Sequence, residues 1–479
     1  MPRKYFLHPK PTPGRFISPR PFGIIEGAGC LHCFNCVKKN CPYEVFKKRK
    51  FNERNLGDTA DSLCRNCFRC VQSCYGRILL KTANPEYWLQ GDEYWTPEII
   101  ASNRAQAETG RIPVSGGGYN GPFAGPHFDS MWTDMSEIVR PTRDGIHGRE
   151  YISTAVDLGK NPGPFIFPEG QANLQNLLKE LPPRVEISLP LIGDLLPLQA
   201  YRLPQLAALG QVAQEVNTLM IVRAEEIEGK LEQFTPWLIP FLPALGKDHY
   251  QLLSKVRLVQ VPYLDRQQTK NIVKDIKKIN PHILVIVRIS LPGQTEDIVL
   301  DLVDLGGEII HLLADEQGKV PGSPPQLFLK DMIRKIHLRL VKEKCRDQVT
   351  LIFGGGIALA EHLAKAIICG ADLVSIDLPL LLAMECRLCR GCLKGRSCPV
   401  EIENADPAWA RQRVVNLLAA WHGQILEELG AMGIRDVRRL RGESGRAIFL
   451  AEIEQETFGQ IFGPVSKVPE ENYVSATQN

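Results

Sequence analysis

Twelve of the chain's fourteen cysteines fall into three short runs, and nothing else in the sequence restricts its folding as strongly. Cys30, Cys33, Cys36 and Cys41 are spaced C-x2-C-x2-C-x4-C and precede Pro42. Cys64, Cys67, Cys70 and Cys74 are spaced C-x2-C-x2-C-x3-C. Cys386, Cys389, Cys392 and Cys398 are spaced C-x2-C-x2-C-x5-C and precede Pro399. Three thiolates two residues apart can wrap one side of an iron–sulfur cubane, while the fourth corner needs a ligand arriving from another direction. Zinc is the alternative, because paired C-x2-C motifs also build tetrahedral sites. The third cysteine in each run argues against it. Zinc keeps more weight at the late run, which has four cysteines and no second cluster to share with.

The first two runs have the form of a two-cluster bacterial ferredoxin, in which the distal cysteine of each run ligates the other cluster. Cys30, Cys33, Cys36 and Cys74 are therefore assigned to one 4Fe-4S cluster, and Cys64, Cys67, Cys70 and Cys41 to its neighbour. Pro42 turns the chain away after Cys41 by fixing φ. Cys345 and Cys369 lie outside the runs and read as small buried apolar residues.

At 479 residues the chain exceeds the roughly 250–300 residues of a single core, so two or three domains are expected. A hydrophobic fraction of 44% and a charged fraction of 23% are those of a soluble globular protein. No apolar run approaches the length of a membrane helix. The proline-broken N-terminus lacks the apolar core of a secretory signal, so a cytoplasmic location is expected. A net charge of +3 is too small to suggest nucleic-acid binding. Lys47-Lys48-Arg49-Lys50 reads as a solvated face or, because it follows the first cysteine run, as a docking patch for an acidic redox partner.

Residues 1–95 hold two cysteine runs and little periodicity, so their fold must come from ligation. Residues 96–180 are rich in Gly and Pro and read as a connecting layer wrapped over a neighbour. From 181 the texture changes: β-branched runs near 185–189, 219–222, 256–261, 283–289, 308–313, 349–353 and 372–376 alternate with amphipathic helical stretches. A weaker candidate strand at 237–242 contains a proline. Seven or eight such strands predict an α/β fold of (β/α)8 barrel type over 181–400, with a doubly wound open sheet as the alternative. Residues 401–479 open with an Asp-Pro helix start and read as a helical cap. The late cysteine run directly follows the last predicted strand, which would put it beside the barrel's mouth.

This combination resembles the FMN-containing synthase domain of glutamate synthases, in the arrangement where a two-cluster ferredoxin precedes it. The passage LIFGGGIALAEHLAKAIICGADLVSID followed by CRLCRGCLKGRSCPV is similar to that family's strand-helix-strand-cluster stretch. TDMSEIVRPTRDGIHGREYISTAVDLG and LGAMGIRDVRRLRG resemble its flanking segments. The resemblance implies a (β/α)8 barrel and a third cluster. The family's best-known members bind a 3Fe-4S cluster with three cysteines, at positions corresponding to Cys386, Cys392 and Cys398. Cys389 is an additional thiol that favours a 4Fe-4S cluster.

The resemblance also implies FMN, with its phosphate held between Gly354-Gly355-Gly356 and a glycine-containing loop after the final strand. Glycines ahead of a helix suit an anion in physical terms. This sequence departs from the pattern at three places. The second loop reads Ser375-Ile376-Asp377-Leu378-Pro379, where a carboxylate would repel phosphate. The loop after the first strand, Gly- and Ser-rich in the family, here reads Gly193-Asp194-Leu195-Leu196-Pro197-Leu198. The family's Lys- and Gly-rich central loop is missing between 256 and 294. Arg288 could serve a flavin or be structural. His147, Arg143 and Asp144 read as polar groups satisfying an irregular backbone, and His282 and His311 as packed histidines.

Two functions are expected to compete. One is an iron–sulfur electron-transfer subunit whose three 4Fe-4S clusters ride on a ferredoxin domain and a barrel with a degenerate flavin site. The other is an FMN-dependent enzyme reducing 2-iminoglutarate to glutamate. The sequence favours the first. No strand-linked G-x-G-x-x-G is visible, so a separate partner is expected, of the kind of an NAD(P)H-dependent flavoprotein subunit. The chain starts Met1-Pro2 with no glutaminase section, so channelled ammonia is not expected.

Overall fold

The computed structural model describes residues 4–16, 18–19, 21–26, ten separate positions between 31 and 46, 51–52, 55–56, 67–112, 125–135, 152–160, 181–198, 201–227, 229–291, 295–323, 326–457 and 459–462. Cys30, Cys64, Lys47-Lys48-Arg49-Lys50, Arg143, Asp144 and His147 lie outside the described residues.

Eight parallel strands close into a barrel. They are β1 (Leu191–Gly193), β2 (Met220–Arg223), β3 (Leu238–Phe241), β4 (Leu258–Pro262), β5 (Leu284–Ser290), β6 (Ile309–Leu313), β7 (Thr350–Gly354) and β8 (Leu373–Ile376). Closure runs from β8 to β1, pairing Val374 with Leu191 and Ile376 with Gly193. The β-branched runs are buried on both faces, as strands of a parallel sheet must be when helices cover the outside.

Two details differ from the reading of the sequence. The run at 185–189 does not enter the barrel: Val185–Ile187 pairs antiparallel with Val156–Leu158 in a separate two-stranded sheet. The first barrel strand is the three-residue segment that follows Pro190, too short for its pattern to register. The proline-containing run at 237–242 is a true barrel strand. It pairs with β2 along its whole length but with β4 only through Phe241 and Gln260, so Pro240 interrupts a thin stretch of ladder.

Local sequence sets the helices. In α1 (Pro97–Thr109) the Thr96 hydroxyl accepts from Ile99 N and Pro97 occupies the first turn. Around the barrel lie α2 (Leu203–Val216), α3 (Arg266–Ile279), α4 (Thr295–Asp304), α5 (Leu329–Lys342), α6 (Ala360–Cys369) and the short α7 (Leu378–Ala383). Asp265 caps α3 by accepting from Gln268 N at 2.7 Å, and Gly370 at φ 123° ends α6. The Asp-Pro start is realised in α8 (Pro407–Ala431), where Asp406 accepts from Trp409 N at 3.0 Å.

Helix α8 is buried between α2 and α6 and also meets α1 and α7. Asn416, fully buried, exchanges hydrogen bonds with the backbone of Lys10 and donates to the Ala107 carbonyl. Polar groups at 0–1% exposure must be paired, and these pairings fasten the N-terminal segment and α1 to the barrel. Ahead of the barrel, Phe22–Glu26 pairs antiparallel with Leu79–Ala83, and Phe51–Asn52 with Asn55–Leu56. No helix among the described residues is long and apolar enough to cross a membrane.

Candidate cluster loops and the barrel mouth

Within the N-terminal cysteine region, Val45, Phe46, Cys70 and Leu79 form a small core against which Cys36, Cys41, Val71 and Cys74 pack. Members of both runs therefore converge on one nucleus, including the two distal cysteines. At Cys74 burial raises the thiol pKa, but the backbone N–H groups of Ile78, Leu79, Gly76 and Arg77 outweigh it and hold the thiol below its ordinary value. A sulfur surrounded by amide donors is prepared for the thiolate form.

The late run leaves the barrel directly after α7. Glu385, Leu388 and Arg390 all have positive φ (71°, 49° and 53°), folding the loop so that Leu388 N donates to Cys386 Sγ at 3.4 Å. Cys386 is buried, Cys392 and Cys398 are half-buried and Cys389 is exposed. Burial pushes the Cys386 thiol up to about 12, and the neighbouring Cys398 and Cys389 add to that rise. Among the described residues no three cysteine sulfurs lie within 4.8 Å of one another.

Several contacts join this loop to the N-terminal region. Arg104 on α1 donates to the carbonyls of Glu385 and Cys386, both at 3.0 Å. Gly91 N donates to the Arg387 carbonyl, and Arg390 bridges Asp92 and Glu316, each at 2.8 Å. Arg15 donates to the Val400 carbonyl at 2.6 Å. Residues 15 and 91 flank the strand pair 22–26 and 79–83 in sequence, so the segments leading into and out of that pair contact the third cysteine loop.

The barrel mouth holds a closed polar ring. Arg288 (β5) donates to Asp194 Oδ1 at 2.6 Å and to Gln260 Oε1 (β4) at 3.1 Å. Gln260 Nε2 faces His311 Nδ1 (β6) at 2.8 Å, His311 Nε2 faces Ser375 Oγ (β8) at 2.8 Å, and Ser375 donates to Asp194 Oδ2 at 3.1 Å. Side chains from β4, β6 and β8 meet across intervening strands, which is possible only through the lumen. Donation runs one way from guanidinium to carboxylate if His311 is neutral with its proton on Nε2. Burial lowers the His311 pKa to about 3 despite the opposing pull of Asp194, so the neutral form holds at physiological pH. Burial alone would raise Asp194, but Arg288 holds it below the usual carboxylate range.

The glycines of the expected flavin-phosphate loop are packed closely against neighbouring parts of the protein. A Cβ on Gly354 would strike Ser375 Oγ. One on Gly355 would lie 2.6 and 2.7 Å from the carbonyl oxygens of Asp315 and Ala314, and one on Gly356 would lie 2.5 Å from Gly318 N. These glycines are needed because the loop after β6 packs onto them, and Tyr94 Oη caps the Gly356 carbonyl at 2.5 Å. Carbonyl oxygens, not N–H donors, crowd Gly355. In the loop after β8 Asp377 accepts from Leu378 N at 2.6 Å, closing the start of α7. Burial and then Asp194 raise the Asp377 pKa to about 7, so even without a phosphate its charge is poorly tolerated. Leu196 and Leu198 are buried in the loop after β1. The glycines at 354–356 are thus accounted for by packing alone.

Of the other residues singled out in the sequence, Arg288 and His311 enter the ring, which no local pattern announces. His282 is exposed, and Cys369 is buried with its thiol pushed up to about 12 by burial. Sequence reasoning missed Asp129 and His362. Ala358 N donates to His362 Nδ1, leaving Nε2 to face Asp129 Oδ1 at 3.1 Å. That proton placement makes the pair a structural bond under the loop after β6.

Residues 261–435 match the family model described as the conserved region in glutamate synthase. The chain is 24% identical over 473 residues to the archaeal-type glutamate synthase (NADPH) of Dehalococcoides mccartyi, covering 86% of this chain and 92% of that protein. It is 25% identical over 495 residues to the archaeal glutamate synthase (NADPH) of Archaeoglobus fulgidus, covering 90% and 94%. The flavin-binding domain of baker's yeast flavocytochrome b2 covers 76% of this chain and 81% of that chain at 11% identity and a TM-score of 0.40, a likeness too loose to inform the site.

Proposed function

Starting from a chain that is a relative of the glutamate synthases along most of its length, we propose that this protein is an iron–sulfur electron-transfer subunit of a larger redox complex. The observation that carries this reading is the contrast between two parts of the barrel's rim. The cysteine loop retains four thiols and a preformed N–H···S turn, while the Gly354–Gly356 turn is packed against Ala314–Gly318 and the loop after β8 carries a carboxylate, Asp377. Arg288, the one cation in the lumen ring, is already neutralised by Asp194 and offers nothing to an anionic substrate.

In this reading Cys30, Cys33, Cys36 and Cys74 hold one cluster, Cys64, Cys67, Cys70 and Cys41 a second, and Cys386, Cys389, Cys392 and Cys398 a third. Such clusters supply one-electron storage at fixed positions. The protein's own residues keep the cysteine loops in register. Arg104 and Arg390 tie the late loop to α1 and to Asp92, and Cys74 sits among amides that favour its thiolate. The barrel acts as a rigid mount. Pyridine-nucleotide chemistry belongs to a separate redox partner, of the kind of an NAD(P)H-dependent flavoprotein.

Anaerobic purification followed by iron and flavin analysis tests the reading. About twelve irons per chain, four for each of three clusters, with no FMN released on precipitation is the expected result. The relatives' names favour a second reading, an FMN-dependent glutamate synthase. Stoichiometric FMN and glutamate formation from 2-iminoglutarate with a reduced donor would establish that one and overturn the first.

A further inference from the structure

The wall behind the third cysteine loop contains two buried cations with no carboxylate bound to them. Arg104 is 6% exposed, and its three hydrogen bonds go to neutral acceptors: Gln90 Oε1 and the carbonyls of Glu385 and Cys386. Its Nε has no partner. Arg413 is 1% exposed and bonds only to the carbonyls of Ala383, Thr12 and Arg104, with Trp409 stacked 5.1 Å away. The acids that act on this pair are Glu385, whose carboxylate faces Arg15 at 3.5 Å, and Glu108 on the Arg413 side. The loop itself adds Arg387, Arg390, Lys394 and Arg396 and no acidic residue between 386 and 400.

Buried charge is normally compensated, because leaving it unpaired in a low-dielectric interior is costly. Here the missing counter-charge belongs on the cysteine side of the wall. A four-thiolate iron–sulfur cluster is anionic and becomes more so on gaining an electron. A cation fixed behind Cys386 therefore favours the reduced form over the oxidised one, and desolvation keeps that preference from being screened.

We propose that Arg104 is the residue that sets the potential of the third cluster, holding it high enough to collect electrons from the two N-terminal clusters. Arg413, one layer further back, reinforces it. The proposal rests on Cys386, Cys389, Cys392 and Cys398 binding a cluster. No bond is made or broken; a single electron passes from one reduced cluster to an oxidised one.

The test is a redox titration of the full-length, anaerobically isolated protein, following each cluster's paramagnetic signal, with iron content measured on every sample. Arg104→Gln is expected to weaken reduction of the third cluster about tenfold, which is 59 mV for a one-electron couple. The two N-terminal clusters should not move. Arg104→Lys, which keeps the charge, should retain most of the wild-type potential. An Arg104→Gln protein with its full iron and an unchanged third potential would overturn the proposal. If that variant loses its cluster, Glu385→Gln decides: removing the acid beside Arg104 and Cys386 should shift the potential upward, and no shift overturns the proposal. Wild-type protein with iron in the first two sites and none at the late loop would instead remove the reading on which the proposal rests.

Discussion

Arg288 Nη1 lies 2.6 Å from Asp194 Oδ1, and this pair closes the barrel's lumen from β5 to the end of β1. Both groups are largely buried, and each anchors one end of the chain through Gln260, His311 and Ser375. The lumen's polar groups are thereby spent on one another.

Breaking the ring should therefore affect stability more than chemistry. Arg288→Met leaves Asp194 buried without its cation and is expected to cost about 3 kcal/mol in urea unfolding at pH 7. Because the folded pKa of Asp194 is depressed, its contribution is complete above the unfolded carboxylate value and is lost as pH falls through the lower folded one. The difference between wild type and Arg288→Met should accordingly shrink in acid.

Asp377 titrates in the opposite sense. Its folded pKa is raised to about 7, so the folded state binds a proton that the unfolded chain releases near 4. Stability contributed by the protonated form is lost as pH rises from about 4 to about 7. Asp377→Asn keeps an acceptor for Leu378 N and removes the charge. It should stabilise the protein by ~1–2 kcal/mol at pH 8 and have little effect at pH 4. A pH series of denaturant melts checks this.

Asp377→Gly should not restore FMN binding. It removes one obstacle, but the loop after β6 still occupies the glycine turn. Fluorescence of FMN added to the purified variant is expected to remain unquenched.

Gly356→Ala should destabilise the protein whether or not flavin is added. Its φ of 70° disfavours a side chain, and the new methyl would meet Gly318 N. Strain and collision together are expected to cost about 3 kcal/mol. A glycine needed only to approach a phosphate would tolerate the change in the flavin-free protein, so a thermal melt separates the two roles.

Cys389 is the exposed member of the late run, and its replacement is expected to trim the third cluster without abolishing it. Cys389→Ser should lose about one iron per chain and gain the oxidised-state paramagnetism of a three-iron cluster. Cys386→Ser, at the buried position, should lose the whole cluster.

Much of the architecture is visible in linear patterns. Helix α3 is bounded where Asp265 and its apolar spacing place it, α6 stops at Gly370, and α8 starts at Asp-Pro. The barrel class follows from β-branched runs alternating with helical stretches. What escapes is short or non-local. Leu191–Gly193 is a barrel strand of three residues, and only its pairing with β8 distinguishes it from Val185–Ile187 nearby. Ser375 and Asp194 are separated by 181 positions, so their bond leaves no trace in either neighbourhood.

The sequence alone determined the spacing of the thiols, because three cysteines two residues apart are held close by the covalent chain whatever surrounds them. It also determined the alternation of strand and helix, which expresses local burial. Only the tertiary structure decided what faces the glycines at 354–356 and what the lumen side chains bind. Glycine permits close approach without specifying the visitor, and here the visitor is the loop after β6, delivered by barrel closure.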